Sequence, residues 1–125
     1  MPLNRALVGK EYPPVRYEVG REKLREFAVA VGETDPIYHD EEAARAAGHP
    51  DIPAVPTFPI VLSMRASLAI HGDPELGLDY SRVVHGEQEF VAQRPIRPAT
   101  GCWPSPRWPR PSPRAATSCS PSRPR

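Results

Sequence analysis

From Gly32 to His39 the chain reads Gly-Glu-Thr-Asp-Pro-Ile-Tyr-His, its densest run of side chains that can carry a proton. Glu33, Asp35, Tyr38 and His39 are acids, a phenol and an imidazole, the residue types of general acid–base chemistry. The plainer reading is that acids in a turn are solvated or cap a helix, and that Tyr38 edges a core. The histidines at 39, 49, 71 and 85 have no metal-ligand spacing, so no metal is expected. There is no glycine-rich phosphate loop, no Gly-x-Ser-x-Gly elbow and no Cys-x-x-Cys, and no cofactor is implied.

The elements around this run follow from pattern. Tyr17, Glu18 and Val19 alternate as a short strand that Gly20 breaks. Arg21 to Val31 is a helix whose apolar stripe is Leu24, Phe27, Ala28 and Val31, and Gly32 stands where a terminating glycine belongs. Thr34-Asp35-Pro36 is turn chemistry, because the residue before a proline leaves the helical region. Asp40 then caps a second helix through Ala47, with Glu41 and Glu42 favourable in its first turn.

Prolines 50, 53 and 56 keep the next stretch irregular. Thr57 is expected to cap a third helix to Ile70 or His71, with Met64 as core filler. That helix has little polar face beyond Ser63, Arg65 and Ser67, so it calls for wrapping rather than one-sided packing. Val83 to Ala92 alternates as a long strand. Val84, Gly86, Gln88, Phe90 and Ala92 fall on one face and the intervening residues on the other.

Composition bounds the rest. A chain of 125 residues holds one ordinary domain. No apolar run is long enough to span a bilayer, and the first residues have no signal-like apolar region. The net charge of +1 points to neither nucleic acid nor membrane. Residues 1–98 contain no cysteine, which suits a reducing cytoplasm.

The order strand, helix, turn, short helix, loop, apolar helix, long strand resembles the hot-dog fold of the MaoC-like dehydratases, an α+β fold in which an antiparallel sheet curls around one long helix. The resemblance covers Val8 to Pro98. It is carried by YEVGREKLREFAVAVGETDP, AAGHPDIPAVPTF and LGLDYSRVVHGEQEFVAQRPIR, and it is nearest to the FAS1-like branch that includes accessory subunits of (3R)-hydroxyacyl-ACP dehydratases. Fully active members carry Gly-Asp-x-Asn-Pro-(Leu/Ile)-His, whose Asp and His move a proton and water on an acyl thioester. In this chain Glu33 stands at the Asp position, Asp35 at the Asn and Tyr38 at the His, with His39 one residue late. A tyrosine with a pKa of about 10 is a poor exchange for a histidine near 6.5.

The resemblance therefore implies an accessory subunit that binds the acyl chain of an acyl-CoA or acyl-ACP. Its substrate side comprises Asp35, Val55, Pro56, Thr57 and Phe58, and it dimerises with a catalytic hot-dog subunit or with itself. Two rivals stand beside it. One is a self-sufficient hydratase using Glu33 and His39. The other is a non-enzymatic acyl-binding or interaction protein, or a non-functional truncated product.

Residues 99–125 differ in kind, with five arginines, seven prolines, both tryptophans, both cysteines and no acid. On composition they are disordered. Moving GC-rich codons by two bases turns this stretch into strand-like sequence at two places, so a frameshift after Pro98 is the expectation and 1–98 is the hot-dog part.

Overall fold

The computed structural model describes residues 3–98 and the backbone of Gly101–Cys102. The chain enters through a 3-10 turn at Arg5–Leu7 and reaches β1, Tyr17–Glu18. Helix α1 is Arg21–Ala30 and helix α2 is Glu41–Ala46, with a 3-10 turn at Pro36–Tyr38 between them. Helix α3 is Pro59–His71, followed by a 3-10 turn at Tyr80–Arg82. Strand β2, Gly101–Cys102, pairs antiparallel with β1, Tyr17 opposite Cys102 and Glu18 opposite Gly101.

Local chemistry sets these boundaries. Gly32 takes φ +75 after α1 and Gly48 takes φ +91 after α2, the left-handed region that glycine enters without strain. The Asp40 carboxylate accepts the Ala43 N–H at 2.8 Å and so caps α2 as its position predicts.

The core lies between α1 and α3. Val19, Leu24, Phe58 and Leu62 are buried together, with Phe27 and Ile96 packed against them. Burying each of the larger aliphatic or aromatic side chains contributes about 1.5–3 kcal/mol. Phe27 and Phe58 meet edge to face, ring centroids 5.4 Å apart. A second cluster of Tyr12, Ile70 and Leu76 closes the far end of α3. There Asp73 accepts from Lys10 Nζ and Tyr12 Oη, each at 2.7 Å. These hydrogen bonds, that from Lys10 the larger, hold the Asp73 carboxyl below its ordinary pKa.

Several sequence expectations are corrected. Helix α3 starts at Pro59, not on a Thr57 cap. Phe58 occupies the N-cap with no side-chain bond, and Pro59 supplies the first helical φ without needing an N–H partner. Val31 is exposed, because α1 ends at Ala30 and the residue leaves the helical stripe. Helix α3 buries Leu62, Ala66 and Ile70 on one face, while Met64 and Leu68 face outward. Met64 is therefore not core filler.

Residues 83–92 form no strand, only an isolated bridge at Glu89. A period-two pattern becomes a strand only when a neighbouring backbone takes its N–H and C=O groups. Within the Pro- and Arg-rich stretch, Gly101 and Cys102 do pair with β1. Ladder bonds use the main chain and need no side-chain pattern. The rest of that stretch, with its expected disorder, lies outside the described residues.

Candidate functional site

The proton-carrying run folds as a capped turn. The Asp35 carboxylate accepts the Ile37 N–H at 3.1 Å, and Pro36 opens the 3-10 turn. The Glu33 carboxylate accepts the Asp35 N–H at 2.9 Å. The Nε2 of His39 stands 2.6 Å from the Glu33 carbonyl oxygen. A carbonyl only accepts, so Nε2 is the protonated nitrogen there. Arg25 on α1 donates through Nε to the His39 carbonyl at 2.9 Å, which fixes the turn to the helix before it.

The loop after α2 is pinned to the same helix. Arg21 grips Asp51 through two hydrogen bonds, Nε–Oδ1 at 3.2 Å and Nη2–Oδ2 at 2.8 Å, and also reaches Glu41 at 3.2 Å. A bidentate fork of this kind fixes orientation as well as proximity. The Arg21 hydrogen bond is the main reason the Asp51 carboxyl lies below its ordinary pKa; the Ile52 N–H, donated at 2.7 Å, acts in the same direction. The loop is tied in turn to the segment before Pro98 by Ala54 N–H to the Ile96 carbonyl, 2.8 Å.

These ties leave a cleft of about 380 Å³. It is lined by Ile37 and Tyr38 of the turn, by His49, Pro53 to Pro56 and Pro59, and by Ala92 to Ile96. The lining is mostly aliphatic and proline carbon. Such a surface suits an apolar chain, and its polar lining residues, Tyr38, His49, Gln93 and Arg94, can orient a polar end. Burial raises the Tyr38 phenol above its ordinary pKa, and the charges of Glu33 and Asp35 push it the same way. It is neutral at physiological pH and offers a hydroxyl, not a base.

The residues singled out from sequence therefore separate. Tyr38, Val55 and Pro56 line the cleft. Glu33, Asp35 and His39 are joined to one another through the turn and do not line it. Thr57 is exposed, and Phe58 is fully buried in the core. His49 lines the cleft although metal-ligand spacing gave it no role. The signal that places it is Gly48, whose left-handed turn ends α2 while the His49 N–H returns to the Ala44 carbonyl at 2.9 Å.

Residues 6–99 match the family model described as "FAS1-like, dehydratase domain region". The chain belongs to the FAS1-like dehydratase family. Among its relatives, the UPF0336 protein of Saccharopolyspora erythraea is 60% identical over 98 residues, covering 78% of this chain and 63% of that protein. A UPF0336 protein of Streptomyces coelicolor is 57% identical over 98 residues, covering 78% and 65%. The chain thus spans 63% to 65% of the length of these relatives.

A chain of the C-terminally truncated HadBC (3R)-hydroxyacyl-ACP dehydratase complex of Mycobacterium tuberculosis superposes with a TM-score of 0.75 at 28% identity, covering 88% of this chain and 81% of that one. The similarity supports a hot-dog fold for this dehydratase-family domain. The described residues supply its helices and little of its sheet. Among them, no helix is long and apolar enough to cross a membrane.

Proposed function

We propose that this FAS1-like domain is the acyl-chain-binding, accessory subunit of a (3R)-hydroxyacyl-thioester dehydratase. In this reading a partner hot-dog subunit provides the Asp/His pair. The observation that carries the reading is that Glu33, Asp35 and His39 do not line the cleft. Glu33 and His39 are engaged with the turn's own backbone, and the signature group that lines the cleft is the neutral phenol of Tyr38. A cleft lined mostly by aliphatic and proline carbon, to which none of Glu33, Asp35 and His39 contributes, suits holding a chain better than moving a proton. The likeness to a chain of a dehydratase complex adds weight to a partnered arrangement. The substrate is an acyl-CoA or acyl-ACP thioester, with Val55 and Pro56 against the chain and Tyr38 at its polar end.

The test is hydration of crotonyl and longer enoyl thioesters. The chain alone should be inactive, and activity should appear on adding a partner that carries the Asp/His pair. Robust turnover by the chain alone would replace this reading with a self-sufficient hydratase. Acyl-thioester binding that no partner converts into turnover would replace it with a non-enzymatic acyl-binding protein.

Residues 99–125 enter the same proposal as a frameshifted product. Two features support this: the family match stops at residue 99, and the composition changes there from mixed charge to proline and arginine without acids.

A further inference from the structure

Pro50, Pro53 and Pro56 take three backbone donors out of the loop that enters the cleft lining, so its orientation leans on side-chain ties. Two arginines one turn apart on α1 reach two of the segments that line the cleft. Arg25 Nε donates to the His39 carbonyl, next to Tyr38, and Arg21 forks onto Asp51, two residues before Pro53. Glu41 joins the two arginines: its Oε1 lies 3.2 Å from Arg21 Nη2 and its Oε2 lies 3.8 Å from Arg25 Nη2. Buried Leu24 and Ala28 fasten the same helix to the protein interior, and fully buried Ile52 fastens the loop beside Asp51. None of Arg21, Arg25, Glu41 and Asp51 lines the cleft. The Arg21 side chain is 40% exposed and that of Asp51 23%. Ion pairs this open to water add little stability, whereas a forked guanidinium fixes direction. Orientation is therefore the larger effect of this bridge.

We infer that the Arg21–Glu41–Arg25 bridge is a positioning device for chain-length specificity. Acting through Asp51 and the His39 carbonyl, it places the Pro53–Pro56 loop relative to the Ile37–Tyr38 turn and so sets which acyl chains the cleft accepts. The inference rests on the acyl-binding reading above and names the residues that tune it. A helix is a rigid reference, and two segments tied to one helix keep a fixed spacing. Loosening one tie shifts the loop against the turn. One or two methylenes gained or lost in an apolar pocket change discrimination by about tenfold or more. A long acyl chain lays such methylenes along the lining, and a crotonyl chain has almost none to lay. Lysine in place of Arg21 keeps the charge but has no planar fork, so it cannot hold both Asp51 oxygens in one orientation.

The experiment compares hydration of crotonyl-CoA and dodecenoyl-CoA by the full chain with its catalytic partner. Arg21→Lys should raise KM for dodecenoyl-CoA by about tenfold and leave kcat for crotonyl-CoA within about twofold. Glu41→Gln, which removes the charge between the two arginines, should move the long-to-short ratio of KM in the same direction. Lys10→Gln breaks the ion pair with Asp73 at the far end of α3, and should leave that ratio unchanged even where it lowers the melting temperature. Amide exchange at Ile52 and Ala54 should quicken in Arg21→Lys while exchange at Leu62 in the core stays as in the parent. With the parent active, an unchanged ratio in both variants, or equal losses on both substrates, overturns the inference and leaves the acyl-binding reading standing. A ratio that Lys10→Gln moves as far as Arg21→Lys also overturns it, because general loosening would then be the cause. A parent with no turnover, alone or with its partner, overturns both. If Arg21→Lys fails to fold, Glu41→Gln decides.

Discussion

His39 and Glu33 meet through the backbone: the imidazole Nε2 stands 2.6 Å from the Glu33 carbonyl oxygen, while the Glu33 carboxylate accepts the Asp35 N–H. The pair of side chains nearest to an acid/base dyad in sequence is therefore occupied in holding a turn. If these groups are structural, Glu33→Gln should leave partner-dependent hydration within about twofold of the parent, because an amide oxygen still accepts the Asp35 N–H. A fall of about a hundredfold, the size expected for losing a general base, would move Glu33 into catalysis. His39→Ala should cost about 1 kcal/mol in urea unfolding, the net worth of one hydrogen bond.

Val55 is nearly buried and lines the cleft. Val55→Trp fills space that an acyl chain would occupy. In the reconstituted dehydratase, KM for long enoyl thioesters should rise by about tenfold or more, the discrimination that one or two displaced methylenes bring, with kcat for crotonyl thioester little changed. Equal losses for short and long chains would place the acyl chain elsewhere.

Phe58 joins the loop to the core and meets Phe27 edge to face. Phe58→Ala should destabilise by about 3–5 kcal/mol, the range for removing a fully buried aromatic ring. Equilibrium urea unfolding with an unchanged m value measures it.

Asp51 and Asp73 both have carboxyls held below their ordinary pKa, by Arg21 and by Lys10 with Tyr12 respectively. A depressed folded-state pKa favours folding above the unfolded value, about 3.9, and that contribution fades as pH falls through the folded value. Asp51→Asn and Asp73→Asn should each lower the melting temperature at pH 7. The difference from the parent should shrink below about pH 4, where the parent carboxylates also take up protons. A difference that stays constant with pH would mean that packing, not ionisation, carries the effect.

Resequencing across the codons for Gln93 to Arg107 should show a base count off by one or two, with the shifted frame continuing as alternating strands. An intact frame would make residues 99–125 a genuine proline- and arginine-rich extension.

The sequence by itself determined the local pieces. Periodicity marked α1, Asp40 and Gly48 bounded α2, and the order of segments carried the family resemblance, because each depends on neighbours a few residues apart. It also showed that α3 is apolar on nearly every side. Tertiary structure decided what those pieces face. It turned His39 onto the Glu33 carbonyl, set Tyr38 and His49 on the cleft, and sent Phe58 into the core beside Phe27. It also left Val83 to Gln88 without a ladder, because an alternating segment becomes a strand only when another chain segment takes its backbone hydrogen bonds. Such contacts join residues far apart in sequence, and no local pattern encodes which of two available faces a partner will cover.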